Sequence, residues 1–337
     1  AVRVSEAHPV PPRQENGEPS GAIHPQPPTP IEPPANRKRS DLVVRLLSAA
    51  VLVPAVIYLI ILGGLPYLAT IVVIILLGQR EFYRLIEDKG AQPLVSYGLV
   101  AGAALPVVAY VGNEYHATLL MTATLLAVMV RQLGKQQIKD SLASISGTFF
   151  GVFYVGWLLS HTIVLRQFHD SVIARFGRDA VQQLGIAQEA GIFFMIYTLT
   201  VVIWCDAGAY FAGRAYGRRK LAPKISPGKS VEGAVGGVFA GTLAGLLAKG
   251  LFEVFWPALS HPLGWLAALV FGVVISIVAI VGDLVESLLK RDAAVKDTGT
   301  LLPGFGGVLD RIDSPLLGIP VMYYLLLFYV FLRLGPP

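Results

Sequence analysis

Three carboxylates near the C-terminal end of the chain have the residue type and the spacing of a cation site. Asp283 directly follows an apolar run, and Asp310 and Asp313 follow a Gly-rich turn. Positions three residues apart share one face of a helix, so the last two are expected to point the same way. Mg²⁺ in proteins is held by one or two carboxylates together with substrate phosphates. The three aspartates therefore predict a magnesium site in an enzyme that acts on nucleotides.

Cationic side chains accompany these acids. Helical spacing places Asp283, Ser287, Lys290 and Arg291 on one face, which groups an acid, a hydroxyl and two cations. An uncompensated carboxylate at the end of a membrane span is costly, and a neighbouring cation or metal would offset that cost. The alternative is a helix end whose long side chains extend to the interface and form ordinary ion pairs.

A second polar segment, residues 206–232, combines an acid with a basic loop. If a helix continues past Asp206, that residue shares a face with Tyr210 and Arg214. Two prolines and a glycine between residues 223 and 228 exclude a regular helix there. Six cations lie within 16 positions: Arg214, Arg218, Arg219, Lys220, Lys224 and Lys229. Exposed N–H groups beside Lys and Ser favour a polyphosphate site, and the alternative is a basic anchor on anionic lipid.

Other residues that often carry chemistry are assigned structural roles. The single cysteine, Cys205, excludes a disulfide within the chain and a multi-cysteine metal site, and we interpret it as a small apolar filler. The six histidines lie in the N-terminal tail or towards the opposite face. Glycines at every fourth position predict close helix packing, within the chain or in a homodimer interface. They are Gly233, Gly237, Gly241 and Gly245.

These polar segments interrupt a strongly apolar chain. Of its 337 residues, 54% are hydrophobic and 15% are charged, whereas soluble domains carry about 25% charged residues. This composition excludes an ordinary soluble enzyme and predicts an all-α, polytopic integral membrane protein. Apolar runs long enough to cross ~30 Å of hydrocarbon predict about nine transmembrane helices. They lie near 42–63, 65–79, 93–112, 115–131, 142–164, 191–207, 231–252, 262–285 and 316–333.

The N-terminal residues, 1–39, differ from the rest of the chain. They contain ten of the 23 prolines and no apolar periodicity, which predicts a disordered Pro-rich cytoplasmic tail rather than a signal peptide. A Pro-rich ligand for a partner domain is the alternative. We divide the remainder into N-terminal transmembrane helices, 40–200, and a C-terminal transmembrane catalytic region, 201–337.

The distribution of lysine and arginine predicts the orientation in the membrane. If the basic cluster Arg37–Arg39 keeps the N-terminus in the cytoplasm, the cytoplasmic segments hold 21 Lys and Arg residues and the opposite face holds five. The positive-inside rule expects such a ratio. Both polar segments then lie at the cytoplasmic face of the membrane. The net charge of +5 favours anionic partners such as lipid headgroups or nucleotides.

Two long motifs in this chain resemble those of the phosphatidate cytidylyltransferases (CDP-diacylglycerol synthases). One reads Ser287-x-x-Lys290-Arg291-x₄-Lys296-Asp297, followed by Pro303-Gly304-x-Gly306-Gly307-x-x-Asp310-Arg311-x-Asp313. The other reads Asp206-x-Gly208-Ala-Tyr210-x-x-Gly213-Arg214, followed by Lys224-x-Ser226-Pro227-x-Lys229-Ser-x-Glu232-Gly233. With the flanking spans, the resemblance covers most of 42–333. The family usually has His where this chain has Phe305, and Phe cannot donate a proton or bind metal.

The resemblance implies a nucleotidyltransferase that converts CTP and phosphatidate into CDP-diacylglycerol and pyrophosphate for phospholipid synthesis. We expect an enzyme of the bacterial inner membrane, with an organellar membrane as the alternative, whose active site faces the cytoplasm. The hypothesis places Mg²⁺, or Mg²⁺ together with a second cation, at Asp283, Asp310 and Asp313. The residues expected to be catalytic are Ser287, Lys290, Arg291, Lys296, Asp297 and Arg311. Those expected to bind substrate are Asp206, Tyr210, Arg214, Lys224, Ser226 and Lys229. The hypothesis includes no nucleic-acid partner.

Two rival functions remain on the sequence alone. A CTP-dependent kinase of a long-chain lipid alcohol would have to activate a neutral hydroxyl, whereas phosphatidate already carries its nucleophilic oxygen. A membrane transporter would place charged residues along a pathway across the membrane. The charges here gather at one face, and the length of the motifs favours the cytidylyltransferase.

Overall fold

The computed structural model describes residues 50–112, 114–135, 138–299 and 306–335, all of which belong to one compact unit. The proposed tail and Phe305 lie outside these residues. The described chain is almost entirely helical, so the predicted all-α membrane architecture is confirmed. The proposed boundary between residues 200 and 201 falls inside a continuous helix, Ala190–Tyr216. The two proposed regions are therefore parts of the sequence that share this helix.

Thirteen helices and one short hairpin make up the described residues. The first eight helices are α1 (Ala50–Leu62), α2 (Gly64–Asp88), α3 (Val95–Val111), α4 (Glu114–Leu133), α5 (Ser141–Gly151), α6 (Leu158–Arg166), α7 (Phe168–Phe176) and α8 (Arg178–Leu184). A π-helical segment, Val152–Trp157, joins α5 to α6. The remaining elements are α9 (Ala190–Tyr216), β1 (Lys220–Ala222), β2 (Ser226–Ser230), α10 (Val231–Phe255), α11 (Pro257–Ser260), α12 (Trp265–Asp292) and α13 (Leu309–Leu334).

Seven helical segments of the described chain are long and apolar enough to cross a membrane. They are Gly64–Asp88, Tyr115–Leu133, Ser141–Arg166, Ala190–Tyr216, Val231–Phe255, Trp265–Asp292 and Leu309–Leu334. The predicted count of nine is therefore not confirmed, because α1 and α3 are apolar but shorter. The described part of α1 starts at Ala50, inside the proposed first span. Helix α3 ends at Val111 after 17 residues, and the next residue, Gly112, has a left-handed φ of 78°.

The glycine stripe of α10 packs inside the chain. A Cβ atom at Gly237 would lie 2.8 Å from the Cys205 carbonyl oxygen, and one at Gly241 would lie 2.7 Å from that of Val201. Both carbonyls belong to α9, so the stripe permits α9 and α10 to approach closely. Cys205 is fully buried in this interface, as expected for a small filler. Because Gly237 and Gly241 face α9 of the same chain, the stripe does not support the predicted homodimer. The homodimer stays a prediction.

The basic segment after α9 forms an antiparallel hairpin rather than an irregular loop. Lys220 pairs with Ser230 and Ala222 pairs with Ser226. Ser230 also begins α10, because its Oγ accepts a hydrogen bond from Gly233 N–H at 3.1 Å. Glu232 accepts hydrogen bonds from two backbone N–H groups at the start of the hairpin, at 3.0 and 3.1 Å. The hairpin is thus held at the junction of α9 and α10.

Candidate active site

An acidic cluster lies where the end of α12 meets the start of α13. Its members are Asp283 and Glu286 of α12 and Asp313 of α13, and one carboxylate oxygen from each lies within 4.8 Å of those from the other two. Asp283 and Glu286 share a helix face because they are three residues apart. Three carboxylates so close together repel one another unless a cation compensates their charge.

The cluster has the donor chemistry of a site for a hard cation. Glu286 is fully buried in this cluster. Its compensation within the protein is an ion pair, with Lys290 Nζ 2.8 Å from Oε2. A buried carboxylate needs more compensation than that in a crowded acidic site. Oxygen donors alone favour Mg²⁺ or Ca²⁺ over softer metals, so the residues fit the cation that the sequence predicts.

Asp310 lies outside this cluster, although the sequence grouped it with the two other aspartates. Its Oδ1 lies 2.7 Å from Lys290 Nζ. Its Oδ2 accepts hydrogen bonds from Thr298 N–H and Oγ1–H, both at 3.0 Å, and from Gly307 N–H at 2.9 Å. Both oxygens are therefore engaged by the protein, and the structure brings Glu286 to Asp283 and Asp313 instead. The signal for Glu286 was its spacing of three residues from Asp283.

A cavity of about 470 Å³ opens between α9, the hairpin, α10 and α12. Five of the six residues predicted to bind substrate line it, and so does Asp283. The five are Asp206, Tyr210, Arg214, Ser226 and Lys229. The sixth, Lys224, is exposed and lies outside the lining described for this cavity. Volumes of roughly 300–1,000 Å³ are typical of sites for small molecules, so the cavity can hold a nucleotide or a lipid headgroup.

An ion pair connects the basic hairpin to the acidic cluster. Lys229 Nζ lies 2.5 Å from Asp283 Oδ2. A second contact holds the hairpin to the same helix, since Arg291 Nε donates to the Ile225 carbonyl at 3.3 Å. On the other wall, Arg214 Nη1 donates to the Tyr210 hydroxyl at 3.2 Å. Cations and acids thus meet at one end of the cavity.

Asp206 lies at the junction between the cavity and the start of α13. Ser314 Oγ donates to Asp206 Oδ1 at 3.5 Å, which is a weak contact. The backbone N–H of Ser314 donates to Asp313 Oδ1 at 2.8 Å. Asp206 is therefore connected to Asp313 of the acidic cluster through Ser314.

The remaining predicted residues have different positions relative to the cluster. Ser287 Oγ donates to Asp283 Oδ1 at 3.4 Å, next to the cluster. Lys296 and Asp297 are exposed in the segment after α12, and Arg311 is exposed in the first turn of α13. Within the described chain, these last three do not line the cavity. Their catalytic roles stay predictions.

The chain is similar to known proteins over most of its length. It matches the cytidylyltransferase family over residues 43–329. It is 32% identical to a phosphatidate cytidylyltransferase of Synechocystis sp., over 83% of this chain and 94% of that protein. It is 28% identical to a phosphatidate cytidylyltransferase of Bacillus subtilis, over 85% of this chain and 98% of that protein. A phosphatidate cytidylyltransferase of Pseudomonas aeruginosa is 50% identical over 39% of this chain and 47% of its own length. This chain belongs to the cytidylyltransferase family.

Proposed function

We propose that this chain is a phosphatidate cytidylyltransferase. It transfers the cytidylyl group of CTP to phosphatidate and releases CDP-diacylglycerol and pyrophosphate for phospholipid synthesis. The relatives that carry this name support the proposal, because the chain covers nearly the full length of two of them. The observation that carries it is the contact between Lys229 and Asp283. This contact joins an acidic cluster to a cavity that is large enough for a nucleotide and has Lys229 and Arg214 in its wall.

The proposed reaction needs charge compensation more than acid–base chemistry. An ionised phosphate oxygen of phosphatidate attacks the α-phosphorus of CTP. The bond from that phosphorus to the oxygen bridging the α- and β-phosphates breaks, and pyrophosphate leaves with the bond electrons. Two polyanions must approach each other, so the principal task of the protein is to position them and neutralise their charge. Lys229 and Arg214, which both line the cavity, are suited to bind the triphosphate.

The acidic cluster supplies the second half of the site. Asp283, Glu286 and Asp313 would hold Mg²⁺, or Mg²⁺ together with a second cation, and the bound metal would add positive charge beside the transferring phosphorus. Lys290 contacts both Glu286 and Asp310 at 2.8 and 2.7 Å, so its ammonium is fixed at the edge of this cluster. From there it is suited to neutralise phosphate charge on phosphatidate or on departing pyrophosphate.

We further propose that the site faces the cytoplasm at the inner membrane of a bacterium. The bacterial relatives and the excess of 21 over five basic residues support this orientation. CTP can then enter from water. Phosphatidate can enter from the adjacent leaflet while its acyl chains stay in hydrocarbon.

Position-specific labelling of CTP tests the proposal and its rivals. Purified protein in detergent or vesicles is incubated with phosphatidate and Mg²⁺, and the lipid products are separated by thin-layer chromatography. We expect label from the α-phosphate in the lipid and label from the γ-phosphate in pyrophosphate. A lipid-alcohol kinase would transfer the γ-label to a lipid alcohol, and a transporter would label no lipid. Either of those results, or no CDP-diacylglycerol from phosphatidate, contradicts the proposal.

A further inference from the structure

Glu81 is a buried carboxylate of α2 that contacts the segments around the active-site motifs. Glu81 is only 5% exposed. Oε1 accepts a hydrogen bond from Val308 N–H at 3.0 Å, and Oε2 accepts one from Leu309 N–H at 2.8 Å. Oε2 also lies 3.3 Å from the donor Thr298 Oγ1. One acid of the N-terminal helices therefore holds three groups that lie more than 200 residues away in sequence.

The first two of these contacts cap the start of α13. The first N–H groups of a helix have no partner within the helix, and its N-terminus attracts negative charge. Val308 precedes α13 and provides no side-chain cap of its own. Glu81 provides the missing acceptor from another helix. The orientation of the first turn of α13 therefore depends on this carboxylate. The positions of the side chains in that turn depend on it too.

The third contact links Glu81 to Asp310. Thr298 Oγ1 lies 3.3 Å from Glu81 Oε2 and 3.0 Å from Asp310 Oδ2, so one hydroxyl lies between two carboxylates. Asp310 in turn holds Lys290, whose ammonium also contacts Glu286 of the acidic cluster. The contacts form a continuous chain from α2 to the cluster.

The space around Glu81 is closed by two glycines. A Cβ atom at Gly307 would lie 2.5 Å from Glu81 Oε2, and one at Gly299 would lie 2.7 Å from Oε1. Real Cβ atoms do not approach oxygen atoms so closely, so both segments lie against the carboxylate itself. The residues that flank residues 300–305 are thus fitted to an acid at position 81.

We propose that Glu81 is a positioning residue for the cytidylyl transfer. It holds Thr298 and the first amides of α13, thereby fixes Asp310, and through Asp310 fixes the ammonium of Lys290 beside the acidic cluster. Glu81 itself does not line the 470 Å³ cavity and is not a catalytic residue. This inference rests on the proposed function, and it adds a residue of the N-terminal helices to that site.

Glu81→Gln is the variant that changes this contact with little change in volume. The amide group replaces one acceptor oxygen with an NH₂ donor, so one of the facing N–H groups loses its partner. We expect kcat to fall by roughly 10- to 100-fold, the range that supporting hydrogen bonds around active sites typically show. The apparent KM for CTP should stay near its wild-type value, because the cavity wall is unchanged. Glu87→Gln, an exposed acid on the same helix, is the matched control and should behave as wild type.

Three further measurements separate positioning from a general loss of stability. Hydrogen–deuterium exchange should increase in Glu81→Gln for peptides covering 306–312 and remain unchanged in α9 and α10. Thr298→Val should also lower kcat, whereas Thr298→Ser keeps the hydroxyl and should retain most activity. The kcat loss of the double variant Glu81→Gln/Thr298→Val should be smaller than the product of the single losses, since both act through Asp310.

Defined outcomes would overturn the inference. They are a wild-type kcat in Glu81→Gln, losses that multiply in the double variant, or exchange that rises equally throughout the chain. If Glu81→Gln does not fold, equal activity of Thr298→Val and Thr298→Ser would overturn it as well. A wild-type protein that makes no CDP-diacylglycerol would instead contradict the proposed function. In that case, hydrogen–deuterium exchange in residues 306–312 of Glu81→Gln still tests whether Glu81 holds the start of α13.

Discussion

Lys229 of the hairpin and Asp283 of α12 form an ion pair at the border between the cavity and the acidic cluster, with 2.5 Å between Nζ and Oδ2. The two side chains retain 25% and 31% of their exposure. Each partner also has the charge to bind part of a metal–nucleotide complex. The ammonium of Lys229 can bind the phosphates, and the carboxylate of Asp283 can bind the cation. The pair therefore keeps two binding groups oriented towards a common point, and its removal should alter nucleotide binding.

Lys229→Ala is expected to raise the apparent KM for CTP by about tenfold or more and to change kcat less. The loss of one charged contact to phosphate corresponds to roughly 1.5–3 kcal/mol. Lys220→Ala, an exposed cation on the neighbouring strand, is the control. Steady-state kinetics with varied CTP measures both. Equal effects in the two variants would mean that the hairpin acts through its overall charge, and an unchanged KM in Lys229→Ala would contradict a triphosphate role.

Glu286→Gln and Asp310→Asn should affect the Mg²⁺ requirement differently. Glu286 belongs to the acidic cluster, so its neutral variant should raise the Mg²⁺ concentration for half-maximal activity by about tenfold or more. Asp310 holds Lys290, so its variant should lower kcat with a shift in Mg²⁺ requirement below about twofold. A Mg²⁺ titration of each variant checks this. The reverse pattern would restore Asp310 as the cation ligand that the sequence predicts.

Ser230→Ala should destabilise the protein by about 1 kcal/mol, because it removes the N-cap of α10. Ser146→Ala is the same chemical change at an exposed position within a helix, where Oγ only contacts backbone carbonyls of its own turn. That control should change the free energy of unfolding by less than about 0.5 kcal/mol. Thermal or denaturant unfolding in detergent measures the difference. Equal stability of the two variants would show that the cap contributes nothing.

Gly241→Ala should be strongly destabilising, while Gly250→Ala on the same helix should not. At Gly241 the new Cβ atom would lie 2.6 Å from Ser276 Oγ and 2.7 Å from the Val201 carbonyl oxygen, so α9 and α10 would have to separate. At Gly250 the nearest atom, in Trp265, is 3.5 Å away. Alanine there should be neutral or stabilise the helix by up to about 1 kcal/mol. Detergent melting temperatures provide the comparison, and a stable Gly241→Ala would contradict tight packing of the stripe.

The sequence predicted the helical architecture because apolar runs report directly on burial in hydrocarbon. Each proposed span overlaps a helix, yet α3 falls short of a full span, since its end depends on the left-handed conformation of Gly112. For the basic segment, the sequence predicted a loop and not the hairpin that the structure shows. Its strands have three and five residues, and Pro227 and Gly228 within β2 hide any alternation there.

The candidate site shows where spacing along the chain is informative and where it is not. The i, i+4 and i+8 pattern from Asp206 to Arg214 placed three side chains on one cavity wall because α9 is a regular helix. The same reasoning grouped Asp310 with Asp313, and both residues do lie in α13. Asp310 is in the first turn, however, and its carboxylate accepts hydrogen bonds from Thr298 N–H and Gly307 N–H, which precede the helix. The contacts of Glu81 with Thr298, Val308 and Leu309 join distant segments and leave no periodic signal.

The contacts of Glu81 also constrain how this chain can change over time. A carboxylate on α2 lies against Gly299 and Gly307 and contacts the same hydroxyl as Asp310, so α2 and the residues before α13 are fitted to each other. Substitutions at positions 81, 298, 299 and 307 should be inherited together among relatives. A chimaera that joins the N-terminal helices of one relative to the C-terminal region of another should work only when both parents agree at these four positions.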